Sequence, residues 1–131
     1  MIYVDTSAFL ALVNRTDPYH EQAMQTWEQL IEDEQELMCN NYVLVESIAL
    51  IQRRVGLDAV TILHNDIVPF IKVDWLDEDL HNSIVKTALR TARRQLSFVD
   101  YSSFDTMRRH GINTAFAFDS HFPEQGFEVI P

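Results

Sequence analysis

The chain opens on a short apolar run, "IYV", that stops at Asp5. Near its other end "TAFAF" runs into Asp119 in the same way. Between them, apolar residues recur at two spacings. Compact blocks such as "LMCN", "FIKVDW" and "FEVI" have the length and content of buried strands. Longer stretches place apolar residues three and four apart, as on one face of a helix. "TSAFLALVN" reads as a short helix. After Asp17–Pro18, a cap and first-turn pair, Ala23, Met24, Trp27, Leu30 and Ile31 line one face of a second. Asn41 is placed to cap "YVLVESIALIQRR", which Gly56 stops, and Asp58 to cap a further helix. Asp77 caps "EDLHNSIVKTALRTARR", with Leu80, Ile84, Ala88 and Leu89 inward, and "VDYSSFDTMRRHG" is the last long helix. Strands alternating with helices predict crossover units and a mostly parallel sheet, hence an α/β fold. In such sheets the ligand crevice lies beyond the carboxyl ends of the strands, where Asp5 and Asp119 fall.

Composition narrows the picture. A 131-residue chain with 47% hydrophobic content is expected to form a single domain over residues 1–131. It shows no repeat or linker, and three glycines and four prolines leave little room for long loops. The lone cysteine, Cys39, sits in an apolar block and is expected to be buried and inert. No basic leader precedes the first strand, and no apolar run approaches the ~18 residues a membrane span needs. The expectation is a cytoplasmic protein without membrane contact. A net charge of −10 argues against a sequence-independent grip on nucleic acid. The basic residues are nevertheless clustered: Arg53 and Arg54; Arg90, Arg93 and Arg94; Arg108 and Arg109. They are helix-end charges or local phosphate contacts.

Two more acids have neighbours ill-suited to free solvent. Glu46 interrupts the apolar "YVLVESIALI", a helix whose composition suggests burial nearly all round. An ion pair with Arg53 would satisfy it. Asp100 ends "LSFVD" and starts a helix, where capping alone would account for it. If Asp5, Glu46, Asp100 and Asp119 meet, their mutual repulsion calls for a counter-ion. All-oxygen ligation suits Mg²⁺ or Mn²⁺, and no histidine–cysteine spacing suits zinc. A carboxylate-held cation can activate water against a phosphodiester without a covalent nucleophile. That fits a chain with no Gly-rich phosphate loop and no nucleophile elbow.

Four segments, "YVDTSAFLAL", "NNYVLVESIALIQRRVG", "LSFVDYSSFDTMRRHGI" and "AFAFDSHFPEQGF", each carry one of these acids. In that order they resemble PIN-domain ribonucleases of the kind found as toxins in VapBC-type toxin–antitoxin pairs. The resemblance spans nearly the whole chain. It implies a three-layer α/β/α sandwich with a mostly parallel sheet of about five strands. It also implies Mg²⁺- or Mn²⁺-dependent cleavage of single-stranded or loop RNA, an antitoxin partner and a homodimer. The family's acidic site maps onto Asp5, Glu46, Asp100 and Asp119. Its small hydroxyl residue maps onto Thr6 or Ser7, with Ser7 the choice for positioning the attacking water, or for helix capping. Many members carry a further acid two residues after the last aspartate, and His121 stands there here. It is placed either to reach a scissile phosphate or to pack beside Phe122. Asp105 is five residues past Asp100, off its helical face.

Rival readings fit less well. A haloacid-dehalogenase-type phosphatase needs a second Asp where Ser7 stands. That fold and a receiver domain both need a lysine, and the chain offers only Lys72 and Lys86. A PIN-like scaffold that binds RNA or protein without cutting, and a stand-alone RNA-processing nuclease without an antitoxin, remain as alternatives. Metal-dependent RNA degradation separates the first, and an upstream antitoxin gene the second.

Overall fold

The computed structural model describes residues 1–131. Five parallel strands form one sheet: β1 (Ile2–Val4), β2 (Leu37–Asn40), β3 (Ile71–Asp74), β4 (Thr114–Phe116) and β5 (Glu128–Ile130). Their order is β3-β2-β1-β4-β5. Ile2 pairs with Leu37 on one side and with Thr114 on the other. The chain thus builds outward from β1 to β3, crosses back, and builds outward again from β4. The carboxyl ends of β1 and β4 flank the point where the direction of building reverses, the position at which open parallel sheets leave a crevice.

Seven helices cover the sheet: α1 (Thr6–Val13), α2 (His20–Glu32), α3 (Asn41–Arg54), α4 (Leu57–Ile62), α5 (Glu78–Thr91), α6 (Phe98–Arg109) and the short α7 (His121–Glu124). Single π-helical and 3₁₀ turns over Leu63–Ile67 and Val68–Phe70 lead from α4 into β3. Helices α1 to α4 pack against one another, as do α5 and α6, the division onto two faces expected when parallel crossovers are right-handed and the building direction reverses. The α/β reading and the five-stranded parallel sheet therefore hold. Tyr3, Phe9, Phe104, Phe116 and Phe122 are fully buried between the layers. Phe122 meets Phe104 edge-on, ring centroids 5.3 Å apart, a favoured aromatic geometry. Cys39 is buried, and burial pushes its thiol up to about 12, which leaves it inert as expected.

The boundaries correct several local expectations. Asp17–Pro18 forms a turn, not a cap: Asp17 accepts a bond from the Tyr19 N–H at 2.8 Å, and α2 starts only at His20. Asn40, not Asn41, caps α3. Its Oδ1 accepts from Val43 N at 2.9 Å, and its amide donates to Ser102 Oγ and Thr106 Oγ1, both at 3.1 Å. Asn41 instead accepts from Leu76 N at 2.8 Å. Asp58 lies in the first turn of α4 rather than before it, because Gly56, at φ 129°, takes the entry position. Leu89 is not inward but 74% exposed. Helix α3 is not buried all round either: Val45 is 67% exposed, while Val43, Ser47 and Ile51 face inward.

The Asn40 network supports a test. Asn40→Ala removes a helix cap and leaves two buried hydroxyls short of a partner, so it should cost about 2 kcal/mol of stability. Urea denaturation measures this. A loss under ~0.5 kcal/mol would place little of the α3–α6 contact on this side chain.

Candidate active site

Each acid is delivered by a different local device. Asp5 follows β1 directly and caps α1. Its Oδ2 accepts from Ser7 N at 3.1 Å and from Ser7 Oγ at 2.6 Å. Ser7 Oγ in turn accepts from Phe118 N at 2.9 Å, so one hydroxyl ties the end of β1 to the segment after β4. Thr6 is buried and turned away, accepting from Ser47 Oγ at 3.4 Å. Of the two hydroxyls at this turn, Ser7 is the one that touches the carboxylate.

Asp100 is not the cap of α6 but sits one turn in. Ser97 Oγ accepts from Asp100 N, and Asp100 Oδ2 accepts from Ser97 N, each at 3.0 Å. This reciprocal capping box fixes the carboxylate at the positive end of a twelve-residue helix. The Ser-x-x-Asp spacing in "SFVD" carried that signal, and Ser97 was missed. Asp119 lies three residues beyond β4, which ends at Phe116. Its Oδ1 accepts from His121 N at 2.8 Å, closing a tight turn into α7.

These turns bring Asp100, Asp119 and His121 together. One donor atom from each lies within 4.8 Å of the other two. His121 does not pack as a bystander to Phe122. Its Nδ1 is 3.1 Å from Asp119 Oδ1 and 3.2 Å from Asp100 Oδ2. That nitrogen is buried, yet neither contact is aligned well enough to be a hydrogen bond. Two carboxylate oxygens converging with an unsatisfied buried nitrogen suit a divalent cation.

Asp5 is more deeply buried than any of these three. Burial pushes its carboxyl up from an ordinary 3.8 to about 6; the two Ser7 bonds oppose the rise, and the charges of Asp119 and Asp100 add to it. Glu46 is half-buried on α3, and neither a hydrogen bond nor an ion pair holds its carboxylate, so the Arg53 pairing does not form. Asp105 points away from the cleft and binds Arg109 Nε at 2.7 Å.

The arginines divide. Arg109 also pairs with Asp74 at 2.7 Å, and Arg108 donates to Gln125 at 3.1 Å while lying over Phe104 and Phe127. Both are engaged within the chain. Arg53 and Arg54 occupy the last turn of α3, roughly 20 Å along the helix from the strand ends. Arg93 makes only a loose exposed pair with Glu124, 3.5 Å away. Arg94 is exposed in the segment that enters α6, six residues before Asp100.

Comparison with known proteins places this geometry. The PIN domain family matches residues 2–128. A 23S rRNA-specific endonuclease, VapC20 of Mycobacterium tuberculosis, is 37% identical over 133 aligned positions, covering 100% of this chain and 99% of its own. The crystal structure of M. tuberculosis VapC20, described as a sarcin–ricin loop cleaving toxin, superposes with a TM-score of 0.84 at 34% identity. That match covers 97% of this chain and 96% of VapC20. FitAcB from Neisseria gonorrhoeae shares the fold, with a TM-score of 0.70 at 16% identity, over 100% of this chain and 97% of its own.

Proposed function

The chain belongs to the PIN-domain family of nucleases, and we propose that it is a toxin-type endoribonuclease that cuts an exposed loop of ribosomal RNA, using Mn²⁺ or Mg²⁺. The observation that carries this is the meeting of Asp100, Asp119 and His121 close to buried Asp5 at the reversal point of the sheet. PIN nucleases generally use a divalent metal, and Asp100 and Asp119 would hold it, with His121 Nδ1 as a third donor. Asp5 and Glu46 complete the acidic site. A bound cation supplies Lewis acidity toward the phosphodiester oxygens. A nitrogen donor beside two carboxylates favours Mn²⁺ over Mg²⁺.

The chain's own groups do the rest. Ser97 and the first turn of α6 hold Asp100 still. Ser7 clamps Asp5 and stands where it can orient a water beside that carboxylate. His121 presents its Nδ1 to the same space as the two carboxylates. Arg94 is the best placed of the free cations to meet a flanking phosphate.

The relatives named above also motivate an antitoxin partner and a cytoplasmic setting; no helix is long and apolar enough to cross a membrane. The exposed apolar positions of α3, Val45 and Ile48, suit a homodimer contact. Sedimentation of the purified chain tests the dimer.

The deciding experiment uses a sarcin–ricin hairpin and an unrelated hairpin. Purified protein with Mn²⁺ should cut the first at one site and stop with EDTA. Cleavage that survives chelation removes the metal mechanism. Equal cleavage of both hairpins removes the proposed substrate but keeps the nuclease.

A further inference from the structure

Tyr19 stands in the turn between α1 and α2, one residue before α2 begins. Its ring lies against Phe118, with centroids 4.6 Å apart and planes 14° from parallel. Tyr19 is still 49% exposed. The phenylalanine covers one face of the tyrosine, and about half of the residue stays exposed. A stacked pair that leaves this much of the tyrosine exposed can accept a third flat ring.

The pair is fixed to the acidic site. Phe118 precedes Asp119 in the chain, and its N–H donates to the same Ser7 hydroxyl that clamps Asp5. Below, the Phe118 ring meets buried Phe116 edge-on at 6.2 Å. The platform therefore cannot drift relative to the carboxylates. Charge gives it a purpose. A chain of net charge −10, with Arg108 and Arg109 engaged internally, has few cations for the RNA backbone. Stacking on an aromatic ring draws on every base's π-face and needs no net positive charge. The unpaired bases of an RNA loop can be splayed out to reach such a ring.

We propose that Tyr19, backed by Phe118, stacks a nucleobase adjacent to the scissile phosphate and so acts as a substrate-positioning residue. This rests on the nuclease reading above.

The test uses an RNA whose cut position has been mapped with the wild-type protein, and variants of it made abasic at one flanking nucleotide at a time. Tyr19→Ala should raise KM about tenfold and change kcat less than about threefold, whereas Tyr19→Trp should stay near wild type. One abasic position should raise KM for wild type by a similar factor and add nothing for Tyr19→Ala, because both remove the same contact. Three results overturn the proposal. They are a Tyr19→Ala variant with unchanged KM, a Tyr19→Leu variant that matches wild type because apolar cover alone suffices, and abasic and Tyr19→Ala effects that multiply at every position. A wild-type protein that cuts no RNA defeats the nuclease reading itself, and this inference with it.

Discussion

Asp100→Asn should lower single-turnover RNA cleavage by about a thousandfold or more while leaving the melting temperature within a few degrees of wild type. The amide keeps the shape of the carboxylate and can still accept from Ser97 N, so the start of α6 survives. What disappears is a charge facing Asp119 and His121 across less than 5 Å. A cation bound mainly by charge is then held weakly, and the stabilisation it offers a phosphodiester under attack, several kcal/mol, goes with it. Asp119→Asn should behave alike. Glu46→Gln is the informative contrast, since no hydrogen bond or ion pair within the chain fixes that side chain. A loss near that of Asp100→Asn would bring Glu46 into the metal site, and a loss below tenfold would leave it at the rim. If Asp100→Asn retained a tenth of wild-type activity with normal stability, the cleft described here would not be the catalytic one.

The second large effect concerns stability without metal. Asp5 carries a carboxyl raised from 3.8 to about 6, chiefly by burial. The folded state therefore holds this proton more tightly than the unfolded chain does. The stability linked to that proton is fully present below about pH 4 and is lost as pH rises through about 6. Above that, the ionised group costs the fold up to about 3 kcal/mol. In EDTA at pH 7.5, Asp5→Asn should thus be more stable than wild type by up to about that amount. The advantage should shrink as pH falls and vanish near pH 4. Mn²⁺ at a thousandfold excess over its Kd should reverse the order, because it then adds about 4.1 kcal/mol to the protein that binds it. Denaturant melts at pH 4 and 7.5, with and without Mn²⁺, give all four values. A variant less stable than wild type at pH 7.5 in EDTA would mean that the charged form of Asp5 supports the fold.

The readable part of this protein was its framework. Short apolar blocks and helical spacing located the five strands and the main helices. The rule about strand ends then placed Asp5 and Asp119 in one crevice, because the sheet reverses between β1 and β4. What was less legible depended on single side-chain directions. Asn40 and Asn41 are both able caps, and only the packing of Ser102 and Thr106 decides between them. Leu89 follows the helical spacing of Leu80 and Ile84, but α5 turns it outward. Glu46 seemed enclosed because its neighbours are apolar, yet one side of α3 has nothing in this chain to cover it. The turn of the His121 ring toward Asp100, and the Ser7 link to Phe118, join residues too distant in sequence for spacing to reveal.

That distance has a consequence for how the molecule comes into being. The pairing of Ile2 with Thr114 closes a loop of almost the entire chain, and the Ser7–Phe118 bond spans a separation of 111 residues. Contacts of this range form late, since the entropy of closing so long a loop is spent before they reward it. During translation the segment after β4 leaves the ribosome later than β1 to β3 and their helices. A growing chain that has not yet reached β4 holds neither Asp119 nor the Phe118 N–H that anchors the Ser7 hydroxyl. The acidic cluster is therefore assembled only after the segment beyond β4 has been made and has docked against β1 and Ser7.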